Sequence, residues 1–178
     1  LQCSRYIRWA EYEREHRLQR DEALTRLRFP HAEFRSGQRQ LANTVYRAAR
    51  DGHCLMAQAT TGIGKTLGTL FPQLKAFPEQ ELDRLFFLTA KTPGRRLALD
   101  ALATLRSQED AMPLRVLEHV ARDKACEHPD KACHGDSCPL AKGFYDRLPA
   151  ARKAALEGQW LSHERVREVA LAHQICPY

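Results

Sequence analysis

The chain has 178 residues, 43% of them hydrophobic and 28% charged, a balance that can bury a core and excludes a disordered chain. No apolar run approaches the roughly 20 residues of a membrane span, and the polar, Arg-rich start is not a signal peptide. The net charge of +6 favours an anionic partner such as nucleic acid.

Residues 3–27 form a strongly charged stretch with Tyr6, Trp9, Leu18, Leu24 and Leu27 as sparse apolar anchors, which reads as a helix ending at residues 28–30. With no initiator Met, residues 1–30 are expected to be a connector helix or the tail of an upstream domain. Ser36 stands where an N-cap belongs, and Leu41, Val45, Tyr46 and Ala49 recur at helical spacing up to a stop at Gly52. Residues 53–58, HCLMAQ, are short and apolar and predict a buried strand with Cys54 in the core. A helix follows over residues 65 to about 76. Residues 84–89, with the run LFFL, predict a second buried strand. Pro93 opens a further helix bearing Leu97, Leu99, Ala101, Leu102 and Leu105, and residues 114–117 predict a third strand. This alternation predicts an α/β fold with a parallel sheet covered by helices. From about Val120 it stops. A cysteine-bearing loop and helices at about 141–156 and 162–173 then read as an inserted module.

Residues 59–66, ATTGIGKT, meet the pattern [AG]-x4-G-K-[ST] through Ala59, Gly64, Lys65 and Thr66. Small residues let backbone N–H groups curl around a polyphosphate, and the helix that follows adds its positive end. Lys65 would reach the β- and γ-phosphates, and the Thr66 hydroxyl would hold Mg²⁺. Upstream, Gln38 in residues 34–38 (FRSGQ) carries an amide that can both donate to and accept from an adenine edge.

Four of the six cysteines, Cys126, Cys133, Cys138 and Cys176, lie in the last third. The neighbours Glu127, His128, Asp130, Lys131, His134 and Asp136 do not make a core sequence. Clustered thiols in a chain without secretion signals read as soft-metal ligands. The lack of C-x2-C pairs leans toward an iron–sulfur cluster but leaves zinc open, with His128 and His134 as further ligands in that case. The second predicted strand runs into Thr89, Lys91 and Thr92, and the next helix opens with Arg95 and Arg96. Hydroxyls, free N–H groups and basic side chains there could follow a phosphate backbone. Lys142, Arg147, Arg152 and Lys153 could line a strand channel, whereas Phe144 and Tyr145 read better as packing residues.

Together these motifs resemble the iron–sulfur superfamily-two DNA helicases of the XPD/DinG type, nearest the bacterial DinG-like members, over about residues 34–178. The resemblance rests on F-R-S-G-Q, A-T-T-G-I-G-K-T, F-F-L-T-A-K-T and the four-cysteine module with G-F-Y-D-R and a closing C-P-Y. It implies a partial P-loop RecA-like first motor domain over residues 31–119, carrying the Q motif, Walker A and motif Ia. A mainly helical iron–sulfur module would occupy residues 120–178, with Cys126, Cys133, Cys138 and Cys176 on a 4Fe–4S cluster. Arg35 and Gln38 would belong to the adenine-reading Q motif. Ala59, Thr60, Thr61, Gly62, Ile63, Gly64, Lys65 and Thr66 would bind ATP, with Lys65 and Thr66 in catalytic roles and Thr66 on Mg²⁺. Thr89, Lys91 and Arg95 would contact single-stranded DNA.

The implied function is ATP-driven 5′-to-3′ translocation on single-stranded DNA, with DNA junctions as further partners. The implied setting is a monomer in a bacterial cytoplasm, associated with the nucleoid and with DNA repair. The residues alone also admit a DNA-binding P-loop module with a structural zinc site and no unwinding activity. The family's D-E-A-H box and second RecA-like domain do not occur in the sequence. The expectation is therefore a fragment that binds nucleotide without unwinding DNA.

Overall fold

The computed structural model describes residues 2–108 and 112–178. The chain divides into two compact units, Leu1–Pro113 and Leu114–Tyr178.

Among the described residues the first unit contains four helices: α1 (Gln2–Arg26), α2 (Gln38–Asp51), α3 (Lys65–Ala76) and α4 (Thr92–Arg106). Helix α3 is its centre and packs on α1, α2 and α4. Leu24, Leu70 and Leu105 are fully buried, each such side chain favouring the fold by about 1.5–3 kcal/mol relative to exposure. Most of α1 is solvated, and only its end is buried, through Arg20, Ala23 and Leu24, with Leu27 just beyond. That end is held by side chains. Lys75 Nζ donates to the Leu24 and Thr25 carbonyls at 3.3 and 2.6 Å, satisfying acceptors that a helix C-terminus leaves open. Burial lowers the Lys75 pKa, an effect partly opposed by the Glu79 carboxylate. Arg20 donates to the Leu82 carbonyl at 2.9 Å and lies over the Phe77 ring. Helix α2 starts from Gly37, in the left-handed region at φ 75°, and not from Ser36. It stops at Gly52 as its sequence predicts.

The predicted RecA-like parallel sheet is not what the chain forms. Among the described residues the fold is mostly helical, with two strands of two residues each. Residues 53–58 and 84–89 form no strand. Met56 is fully exposed, Phe86 and Leu88 are 77% and 87% exposed, and Cys54 is exposed rather than core. The physical reason is that a strand is not a local structure. Its N–H and C=O groups need the ladder of a neighbouring strand, and these two segments have none among the described residues. An apolar run by itself does not supply one.

The second unit holds α5 (Arg122–Ala125), α6 (Phe144–Leu156) and α7 (His163–Ala172). It also holds β1 (Val116–Leu117), paired in parallel with β2 (Trp160–Leu161) in the register Val116 to Trp160 and Leu117 to Leu161. Ala151, Ala170 and Ile175 form a small core against which Phe144 and Leu148 pack. Helix α7 is capped twice. Ser162 Oγ accepts from the Arg165 N–H at 3.2 Å, and Glu118 Oε2 accepts from the His163 N–H at 2.8 Å. No helix among the described residues is long and apolar enough to cross a membrane.

Candidate nucleotide-binding site

Residues 59–64 lead directly into α3, whose first residues are Lys65 and Thr66, but the strand expected before them over residues 53–58 does not form. Gly62 and Gly64 have φ of 84° and 81°, a region that residues with a Cβ enter only at a cost. The loop thereby curls and delivers the chain into the first turn of α3. Gly64 is the N-cap, and Lys65 and Thr66 are the first helical residues. The first N–H groups of a helix lack intrahelical acceptors and carry the positive end of its dipole. Lys65 Nζ folds back over the loop and donates to the Ala59 and Thr60 carbonyls at 3.0 and 2.8 Å. Thr66 is half-buried, whereas Thr60, Thr61 and Gly62 are exposed. The loop therefore offers an ammonium group, glycine-rich backbone and a helix N-terminus on one accessible surface, a set of groups suited to a polyphosphate.

The structure brings the residues at 34–38 to this loop. Phe29 stacks on Phe34 with centroids 3.8 Å apart and meets the Phe71 ring of α3 edge-on at 5.5 Å. This aromatic contact pins the segment before α2 to the helix that follows the loop. Arg35 Nη1 then donates to the Gly62 carbonyl at 2.6 Å, and Gln38 Nε2 donates to the Gly64 carbonyl at 3.1 Å. Gln38 is 2% exposed, and its Oε1 accepts from the Arg35 N–H at 3.0 Å. Ile63 lies against the turn at Gly37, with its Cδ1 3.0 Å from where a Cβ there would stand.

Thr89 and Lys91 are exposed beside the start of α4, where Thr89 Oγ1 donates to the Lys91 carbonyl at 3.3 Å. Arg95, half-buried, lies in the first turn, and its N–H donates to the Lys91 carbonyl at 3.3 Å. Helices α3 and α4 pack together.

In the second unit all four cysteines are free thiols: Cys138 is buried, Cys126 and Cys176 are half-buried and Cys133 is exposed. Four thiols in one small unit suit a soft metal or an iron–sulfur cluster chemically. Their placement does not yet form a ligand sphere, because among the described residues no three His, Cys, Asp or Glu side chains are gathered to hold a metal ion. Other contacts draw this unit together. Arg147 donates through one nitrogen to the Lys142 carbonyl and, at 2.7 Å, to the Gln174 carbonyl. It thus ties the chain after Cys138 to the chain before Cys176. Tyr178 stacks on His119 at 5.5 Å, and Arg167 pairs with Glu127, next to Cys126. Arg122 Nη1 lies 3.8 Å from Cys133 Sγ. Phe144 is a packing residue as expected, but Tyr145 is 83% exposed.

In the sequence Arg147 is a candidate DNA contact, whereas neither Glu118 nor the Arg167–Glu127 pair stands out there. These contacts join positions 27 to 45 residues apart, and no local pattern announces them. Comparison of the chain with protein-family models, with curated proteins and with solved structures finds no significant match in any of the three.

Proposed function

We propose that residues 59–66 capture Mg²⁺–ATP and that the chain is the nucleotide-binding part of an iron–sulfur DNA helicase moving 5′-to-3′ along single-stranded DNA. The observation that carries the proposal is the loop itself. Two left-handed glycines turn it into the N-terminus of α3, Lys65 folds over it, and Arg35 and Gln38 bond to its carbonyls. The helicase assignment rests on these motifs and on the cysteine set.

In this reading the triphosphate replaces the Ala59 and Thr60 carbonyls as the partner of Lys65. A charged acceptor makes the stronger hydrogen bond, so the exchange is favourable. The first N–H groups of α3 and the exposed loop backbone take the remaining phosphate oxygens, and Thr66 lies where its hydroxyl can take Mg²⁺. Thr89, Lys91 and Arg95 at the start of α4 would meet the DNA backbone, which the net charge of +6 favours. A 4Fe–4S cluster on Cys126, Cys133, Cys138 and Cys176 would cross-link the loop after α5 to the end of the chain.

Titration with Mg²⁺–ATP tests the proposal. Lys65→Ala removes a charge-assisted contact and should weaken binding about 30-fold. Equal affinity in wild type and variant would remove the loop from the site.

A further inference from the structure

Gln38 carries the inference furthest. Both ends of its amide are committed within the protein. Oε1 accepts from the Arg35 N–H at 3.0 Å, and Nε2 donates to the Gly64 carbonyl at 3.1 Å. The orientation is chemically forced, because only the oxygen can accept from a backbone N–H and only the nitrogen can donate to a carbonyl. The side chain is 2% exposed, which leaves no open face for a nucleobase. The packing is close on the loop side: a Cβ on Gly64 would stand 2.3 Å from Nε2, and one on Gly68 would stand 3.4 Å from the Gln38 Cγ. The Gly64 carbonyl also accepts from the Gly68 N–H at 2.9 Å in the first turn of α3. One buried amide therefore links the turn before α2 to the residue that aims Lys65 and the start of α3.

We propose that Gln38 is a positioning residue for phosphate binding and does not read the base. This rests on the nucleotide-site reading above. Gln38 holds the Gly64 carbonyl, and through it the direction of the Lys65 and Thr66 N–H groups. It is blind to whether the ligand is ATP, GTP or a bare polyphosphate.

The experiment titrates the full chain with Mg²⁺–ATP, Mg²⁺–GTP and inorganic tripolyphosphate, in wild type, Gln38→Ala, Gln38→Glu and Lys65→Ala, with folding checked by circular dichroism. Gln38→Glu keeps the acceptor for Arg35 but places an acceptor against the Gly64 carbonyl, so it supplies a second reading if Gln38→Ala does not fold. Either Gln38 variant should weaken all three ligands by the same factor, about tenfold, the scale of one lost hydrogen bond. The ATP-to-GTP ratio should stay at its wild-type value. At saturating ATP, the phosphorus resonances of the bound nucleotide should shift in the variant while the adenine ring protons stay in place. A selective loss of ATP, with GTP and tripolyphosphate unchanged, would make Gln38 a base reader and overturn the proposal. Unchanged affinity for all three ligands would overturn it too, while loss of binding in Lys65→Ala would keep the site itself intact. A wild type that binds none of the three removes the nucleotide reading and the inference with it.

Discussion

Gln38 and Gly64 meet through one pair of atoms, so a double-mutant cycle reads their coupling directly. Gln38→Ala deletes the bonds to Arg35 and Gly64, and at about 1 kcal/mol each it should cost about 2 kcal/mol. Gly64→Ala puts a Cβ 2.3 Å from Nε2 at a φ of 81°. The left-handed backbone costs about 1–2 kcal/mol. Displacing the amide forfeits both Gln38 bonds, about 2 kcal/mol more, so the single variant should lose about 3–4 kcal/mol. With Ala at 38 there is no amide to displace, and only the backbone strain remains for the second substitution. The double variant should therefore also lose about 3–4 kcal/mol, against a sum of singles near 5–6, a coupling of about 2 kcal/mol. Urea unfolding of the four proteins, followed by circular dichroism with unchanged slopes, measures each corner of the cycle. Additivity to within about 0.5 kcal/mol would refute the contact.

Arg147→Ala removes two main-chain contacts in the second unit and should cost about 2 kcal/mol in urea unfolding; a loss under about 0.5 kcal/mol would show that the two carbonyls do not depend on this guanidinium. The Arg167 guanidinium bonded to Glu127 holds that carboxyl below its usual pKa. A lowered carboxylate pKa stabilises the fold above the unfolded value and loses that contribution as pH falls through the folded value. Wild type should therefore melt above Arg167→Gln at neutral pH. The gap should begin to close below about pH 4 and vanish once Glu127 is protonated; a pH-independent gap would contradict the pairing. Replacing Cys133 with Ser in anaerobically purified protein should lower bound iron and bleach the visible absorbance of the proposed cluster. Unchanged iron would reject Cys133 as a ligand, and a colourless zinc protein would favour the zinc alternative.

What was legible in the sequence follows from which forces are local. The 3.6-residue spacing of Leu41 and Val45, the stop at Gly52 and Pro93 at the opening of α4 all act within a few residues. The corresponding helices form where they are expected. The α2 cap moved from Ser36 to Gly37 because the chain enters that helix through a left-handed turn against Ile63. Only Gly adopts such a turn without strain. Strands failed because their partners are non-local. The run LFFL within residues 84–89 is as apolar as a buried strand, yet Phe86, Phe87 and Leu88 are exposed, whereas the strand that did form, β1, pairs over two residues with Trp160 and Leu161, far along the chain. The phosphate loop was legible as a motif, but what holds it was not. The Gln38–Gly64 bond spans 26 residues and the Arg35–Gly62 bond spans 27.

That distinction decides how the site behaves. A phosphate loop set between paired strands would owe its shape to a backbone ladder. Here residues 53–58 enter without ladder partners among the described residues, so the shape depends on α3 and on side chains: Gln38 on the Gly64 carbonyl, Arg35 on the Gly62 carbonyl and Lys65 on the Ala59 and Thr60 carbonyls. Each such bond is worth only about 1–3 kcal/mol. The Lys65 contacts are also the ones a triphosphate would replace in the proposed complex, whereas the Gln38 contact is buried. On the proposed reading, nucleotide entry would exchange the outer bonds of the loop and leave its inner brace in place. The affinity of the proposed site should depend on the buried amide, which touches no ligand, as well as on the lysine that does.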